Sequence, residues 1–185
     1  IARLTRDKGV DLLLEATTDL LDVALTIVGT GRDGRPILSL RHRIRTPTPV
    51  HVCSSVPDLG AFYRSLDILV LPSREHDPFG LVAAEAMMLG IPVIVTDVCG
   101  IAGYLTDGND ALIVNANSAI AIREAIVTLR NPAVRASIAE AAGAAPTGLL
   151  AAILKGWDDC PDIARDIDRT IVADAPIAVG EEPTI

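Results

Sequence analysis

Hydrophobic positions recur along this chain in two rhythms that take turns. Val10, Leu13, Leu14 and Thr17 fall at i, i+3, i+4 and i+7, the spacing of one helical face, and predict a helix over 8–21. Residues 23–29 (VALTIVG) make a short apolar, β-branched run and predict a strand. A helix is expected over 35–44, where Pro36 suits a first turn. A strand over 50–56 and a helix over 58–66 follow. The run 67–71 (DILVL) stops at Pro72, and the run 92–96 (PVIVT) resembles it. Both are apolar at successive rather than alternate positions, as strands buried on two faces are. Between them a helix is predicted over 79–89, ended by Gly90. A short strand over 111–114 and helices over 118–129 and 133–142 complete the series.

Strands alternating with helices predict an α/β fold with a doubly wound, mostly parallel sheet and helices on both faces. Ligands of such sheets sit beyond the carboxyl ends of the strands. The loops after Val28, Val52, Leu71 and Val95 are therefore where chemistry is to be sought. Beyond Pro146 the periodicity weakens. Helices over 149–157 and 163–172 fit by pattern alone, and 174–185, with two prolines, a glycine and two glutamates, reads as a loosely ordered tail. The expected division is 1–145, 146–173 and 174–185.

Composition adds three constraints. A length of 185 residues suits one principal domain. Half of the residues are hydrophobic but only 3% are aromatic, so the core must be built from Val, Ile, Leu and Ala. A net charge of −8 with so few aromatics argues against nonspecific nucleic-acid binding, and an anionic ligand would need cations placed locally. Cys53, Cys99 and Cys160 form no CxxC pair and are odd in number, which favours free thiols in a reducing, cytoplasmic setting. No apolar run approaches the roughly 20 residues that span a bilayer. No cluster has metal-ligand spacing, and no cofactor is expected.

The richest segment is 71–96, LPSREHDPFGLVAAEAMMLGIPVIVT. A strand ends, a polar loop follows, and a helix begins near Phe79. A helix N-terminus carries unpaired N–H groups and partial positive charge, which suits a phosphate. Gly80 is expected to let a ligand approach the backbone around Phe79, Gly80 and Leu81. Two carboxylates, Asp77 and Glu85, stand eight residues apart, a spacing that spans about 12 Å on an ideal helix. Carboxylates accept hydrogen bonds from vicinal hydroxyls, as sugars offer. The residue types alone also fit an acidic residue favoured by the helix dipole.

Asp77-Pro-Phe-Gly-Leu-Val-Ala-Ala-Glu85, followed by Ala-Met and by Gly90-Ile-Pro-Val, resembles the acidic-x7-Glu signature of the retaining GT-B glycosyltransferases of group 1, or family 4. The family usually has Glu where Asp77 stands, longer by one methylene. The resemblance implies the Rossmann-like second half of a GT-B fold. It implies that Asp77 meets the donor sugar and Glu85 the ribose, as catalytic residues. Arg3-Leu4 and Lys8-Gly9 resemble the family's Arg-Leu-x-x-x-Lys-Gly, which implies that Arg3 and Lys8 bind the donor diphosphate. Residues 50–56 (VHVCSSV) stand where the family's strand borders the nucleobase, with Ser54 in place of Gly; Ser54 and Ser55 offer hydroxyls there. Gly29-Thr30-Gly31 resembles the family's Gly-x-Gly, a pattern that fits a tight turn as well as a ligand. Residues 97–103 occupy the place of Gly-Gly-x-Pro-Glu, with Cys99, Ala102 and Gly103 as departures. His76 reads as a solvated loop residue, and Phe62 and Tyr63 read as core.

The resemblance covers about 1–130. It implies a nucleotide-sugar donor, an acceptor glycan or glycolipid, and an acceptor domain preceding Ile1 in the same or another chain. Such a domain would carry any peripheral membrane contact. It also implies a strand running into Arg3 at the centre of the sheet. Three other readings stay open: a non-catalytic nucleotide-sugar-binding module, a nicotinamide-dependent oxidoreductase, and a sugar-nucleotide epimerase. The oxidoreductase is disfavoured because no acidic residue is clearly placed near 52–56 for ribose recognition.

Overall fold

A turn that cannot be built without glycine sets the first helix. The computed structural model describes residues 1, 3–33 and 48–144. Gly9 takes a left-handed conformation (φ 64°), after a single 3-10 turn at Arg6–Lys8. Helix α1 then runs Val10–Ala16 and buries Val10, Leu12, Leu13, Leu14 and Ala16. It is shorter than the predicted 8–21. The Thr17 hydroxyl donates back to the carbonyls of Leu13 and Leu14, that of Thr18 donates to Leu14, and Asp19 is left-handed (φ 65°). Threonines that bond back to the last turn in this way compete with helix propagation.

Strand β1 (Leu25–Val28) pairs in parallel with β2 (Val50–Cys53), Leu25 opposite Val50. Helix α2 (Leu59–Arg64) is capped by Asp58, whose carboxylate accepts from the Ala61 N–H at 2.8 Å. Strand β3 (Leu69–Leu71), helix α3 (Leu81–Met88) and strand β4 (Val93–Thr96) follow. A second 3-10 turn, Gly100–Tyr104, leads to β5 (Leu112–Val114), and helices α4 (Ala119–Leu129) and α5 (Pro132–Ala144) end the described part. Strands β3, β4 and β5 form a parallel sheet in that order. As its middle strand, β4 is buried at every residue.

Strand alternation sorts the core. Ile94 faces a cluster with α1 and α4, including Leu13, Leu14, Ile122, Ile126 and Leu129. Val93 and Val95 turn the other way and are also fully buried. On that side α3 packs against β3 and β4 with Ala83, Ala84, Ala86 and Met87. Small side chains let this helix sit close to the strands. Helices thus cover both faces, as the alternation predicts.

The strands do not make one continuous sheet. Among the described residues they form a pair (β1, β2) and a triplet (β3, β4, β5), with no strand between β1 and β3. The gap is lined by consecutive residues of both, 24–28 and 68–72, together with Leu4, Val10 and Leu13. Residues from both sheets nevertheless share the cluster under α1 and α4. The expected helices over 35–44, 149–157 and 163–172, the tail and Cys160 lie outside the described residues. So do the boundaries proposed for 146–173 and 174–185.

Candidate functional site

The carboxyl ends of the strands are tied together by the segment Leu4–Gly9. The Leu4 N–H donates to the Thr30 carbonyl at 2.8 Å, just past β1, and the Asp33 N–H donates to the Leu4 carbonyl at 3.1 Å. The Gly29-Thr30-Gly31 turn is therefore packed on this segment. At its other end, Gly9 lies against Pro72, just past β3. A Cβ at position 9 would stand 1.9 Å from the Pro72 carbonyl oxygen. The Arg74 N–H donates to the Asp7 carbonyl at 2.7 Å, and its guanidinium holds the Asp11 carboxylate at 2.6 and 3.4 Å. Asn117 takes the other guanidinium nitrogen at 3.0 Å.

At the centre of this joint, Lys8 Nζ donates to Asp77 Oδ2 at 2.6 Å, with side-chain exposures of 15% and 13%. The Ser73 hydroxyl lies 3.4 Å from the same oxygen, and Ser73 is itself held by Thr96, whose hydroxyl donates to its carbonyl at 2.8 Å. So the residue expected at the phosphate and the residue expected at the sugar are paired with each other.

The start of α3 is fastened from a second side. The Asp77 N–H donates to Val98, Gly100 to Asp77, and Ile101 to Phe79 at 2.6 Å. This is why the helix begins at Leu81 rather than Phe79. The Phe79 carbonyl is engaged by Ile101, and the first helical bonds, from Ala83 and Ala84, go to Gly80. The early N–H groups of the helix then lack intrahelical acceptors. Gly80 is left-handed (φ 93°), and the space a Cβ would fill is closed by Leu71 and Ile101 at 3.0 and 3.1 Å. Its missing side chain therefore faces the protein core. The Phe79 and Tyr104 rings lie 6.0 Å apart and tilted by 50°, with Tyr104 exposed.

Glu85, on the next turns of α3, is held differently. The Tyr63 hydroxyl donates to Glu85 Oε2 at 2.5 Å, and Tyr63 is 2% exposed. Burial, and then the Glu85 carboxylate beside it, push the Tyr63 hydroxyl well above the ordinary tyrosine range. Cys53 ends β2. Ser54 and Ser55 follow there, both exposed. Arg3 is exposed and makes no ion pair among the described residues.

Of the expected site residues, Lys8, Asp77, Phe79, Gly80 and Leu81 come together at one joint. Arg3, Ser54, Ser55 and Glu85 make no direct bond to it among the described residues. Sequence reasoning missed Tyr63, Ser73, Arg74 and Asp11. Tyr63 is core, as expected, but a buried phenol needs a partner for its hydroxyl, and that signal called for an acceptor without naming it. Arg74 and Asp11 are 63 residues apart and carried no local signal. His76 is exposed. A polar recess lined by Arg6, Asp7, Arg32, Arg74, Glu75 and His76 opens nearby. Cys53 and Cys99 are free thiols, and burial raises the Cys99 pKa. Among the described residues no three His, Cys, Asp or Glu side chains gather as a metal site, and no helix is long and apolar enough to cross a membrane.

The family model described as glycosyl transferases group 1 matches residues 1–131. The D-inositol 3-phosphate glycosyltransferase of Xylanimonas cellulosilytica is 29% identical over 168 residues, covering 86% of this chain and 39% of the relative. The chain thus spans well under half the length of that relative. Among solved structures, the C-terminal domain of a group 1 glycosyl transferase (LpcC) from Francisella tularensis superposes with a TM-score of 0.71 at 22% identity, covering 80% of this chain and 82% of that one. Anabaena HepE in complex with UDP and glucose superposes with a TM-score of 0.70 at 21% identity, covering 79% and 42%. These two likenesses establish a shared fold.

Proposed function

The chain belongs to the group 1 glycosyl transferase family, and from that membership we propose that it supplies the donor site of a retaining glycosyltransferase, which moves a hexose-type sugar from a nucleoside-diphosphate donor to an acceptor. The observation that carries the reading is the Lys8–Asp77 contact of 2.6 Å beside the first turn of α3. It brings a cation, a carboxylate and unpaired N–H groups together at the carboxyl ends of the strands. That is the chemistry a sugar diphosphate requires.

In this reading, Lys8 and Asp77 neutralise one another until the donor arrives. Lys8, Arg3 and the N–H groups around Phe79, Gly80 and Leu81 then take the diphosphate. Asp77, freed from Lys8, accepts from sugar hydroxyls. Glu85 accepts from the ribose, and Ser54 and Ser55 meet the base. As the bond from the anomeric carbon to the phosphate oxygen breaks, negative charge gathers on the leaving diphosphate. The cations and the helix start stabilise that charge more than the bound ground state, which is what accelerates the step. The acceptor, a glycan or glycolipid, attacks from the face the phosphate leaves and is bound by a further domain in the same or another chain. The setting is cytoplasmic, and no cofactor takes part.

Titration calorimetry of this chain with UDP- and GDP-sugars tests the reading. Saturable binding is expected, weakened roughly tenfold or more by Lys8→Ala, since a charge-assisted hydrogen bond is lost. Absence of binding to any nucleotide by the intact chain overturns it. A second reading is a donor-binding module that performs no transfer by itself. Donor hydrolysis or sugar transfer by the purified chain alone excludes that alternative.

A further inference from the structure

Tyr63 is the one described side chain that engages Glu85, and its placement has a consequence for the ligand. The hydroxyl donates to Oε2 at 2.5 Å from a residue that is 2% exposed. Among the described residues Glu85 makes no ion pair. Its side chain is fastened at one oxygen, by Tyr63. An ionised carboxylate has about four acceptor positions, and the phenol occupies one. The bond is charge-assisted, which makes it shorter and stronger than a neutral one. Because burial and Glu85 hold the phenol protonated, Tyr63 stays a donor over the whole working pH range.

The two residues come from different elements. Tyr63 sits on α2, which follows β2, and Glu85 sits on α3, which follows β3. The bond therefore links the helix after the Ser54–Ser55 loop to the helix that begins at the Lys8–Asp77 joint. A free glutamate side chain loses rotamer entropy when a ligand orders it. A tethered one has already lost it on folding, and pre-ordering of this kind favours binding.

Resting on the donor-site reading above, we propose that Tyr63 is a positioning residue for the ribose of the donor. It presets Glu85 so that the carboxylate receives the vicinal 2′- and 3′-hydroxyls, and it thereby makes the site selective for ribonucleotides over nucleotides that lack those hydroxyls.

The test compares UDP and GDP with their 2′,3′-dideoxy counterparts by calorimetry, on the wild-type chain and on Tyr63→Phe, Glu85→Ala and the double variant. The wild type is expected to prefer the ribonucleotide about tenfold or more, the worth of a hydrogen bond to a charged group. Tyr63→Phe weakens ribonucleotide binding by roughly fivefold or more and leaves the dideoxy nucleotide within about twofold, so the preference collapses. The double variant binds no worse than Glu85→Ala. A Tyr63→Phe variant that weakens both nucleotides equally, or keeps the preference, overturns the proposal while the donor-site reading stands. Failure of the wild type to bind any nucleotide overturns both. Should Tyr63→Phe not fold, the chain can be labelled with 3-fluorotyrosine, which enters only at Tyr63 and Tyr104. The Tyr63 fluorine resonance, assigned with Tyr104→Phe, is expected to move with the ribonucleotide and not with its dideoxy counterpart. Equal movement with both, or none, overturns the proposal.

Discussion

At the scale of single residues, the two carboxylates of the acidic-x7-Glu segment are held by opposite devices. Asp77 is bound to a cation, Lys8, and Glu85 to a neutral donor, Tyr63. The first arrangement is costly to break from one side, because removal of the lysine leaves a carboxylate on a side chain only 13% exposed without its counter-charge. Breaking a buried pair costs about 3–5 kcal/mol, and this one is not fully buried. Lys8→Met is therefore expected to lower stability by about 3 kcal/mol in urea unfolding, and Lys8→Met with Asp77→Asn to recover about half of that. A loss below about 0.5 kcal/mol in the single variant would mean that water already solvates Asp77. The sequence brought these residues into view as types with a spacing. That Lys8 reaches Asp77, 69 positions away, depends on the Gly9 turn lying against Pro72.

At the scale of elements, the start of α3 is decided by a neighbour rather than by its own residues. Periodicity placed the start at Phe79, but the Phe79 carbonyl goes to the Ile101 N–H. The segment 98–101 can come this close only because of Gly100, where a Cβ would meet the Pro78 carbonyl oxygen at 2.2 Å and Phe79 Cα at 3.1 Å. Both partners are backbone and cannot swing aside. Gly100→Ala is expected to cost about 2 kcal/mol or more and to weaken nucleotide binding, since it shifts the first turn of α3. Gly103→Ala, three residues on, has nothing within 4 Å and serves as the control, with stability changed by less than about 0.5 kcal/mol. Comparable losses in both variants would refute this account of Gly100. The departures at Cys99, Ala102 and Gly103 thus leave untouched the one glycine of that loop on which the helix start depends.

At the scale of the whole molecule, the division of the strands into a pair and a triplet governs where the fold opens. β4 has a paired neighbour on each side, whereas β1 and β3 each have one and face a gap. Hydrogen exchange follows local opening, and strand amides without a partner are poorly protected. Slow exchange is expected for 93–96 and faster exchange for 25–28 and 69–71 in the free chain. Equal protection across the three strands would mean that the gap is closed in solution.

The sequence by itself determined the alternation of strands and helices, and it brought Lys8, Asp77, Gly80 and Glu85 into view as residues worth finding. Those features are local: a period of two or 3.6, a glycine after a helix, a carboxylate at a fixed spacing. Only the tertiary structure decided that Lys8 neutralises Asp77, that Tyr63 holds Glu85, that Gly80 spares room for Leu71 and Ile101, and that the sheet is divided between β1 and β3. Each of these joins groups far apart in the chain. A hydrogen bond or a close approach depends on the distance between two elements, and that distance is set by how the core packs, which no local pattern records.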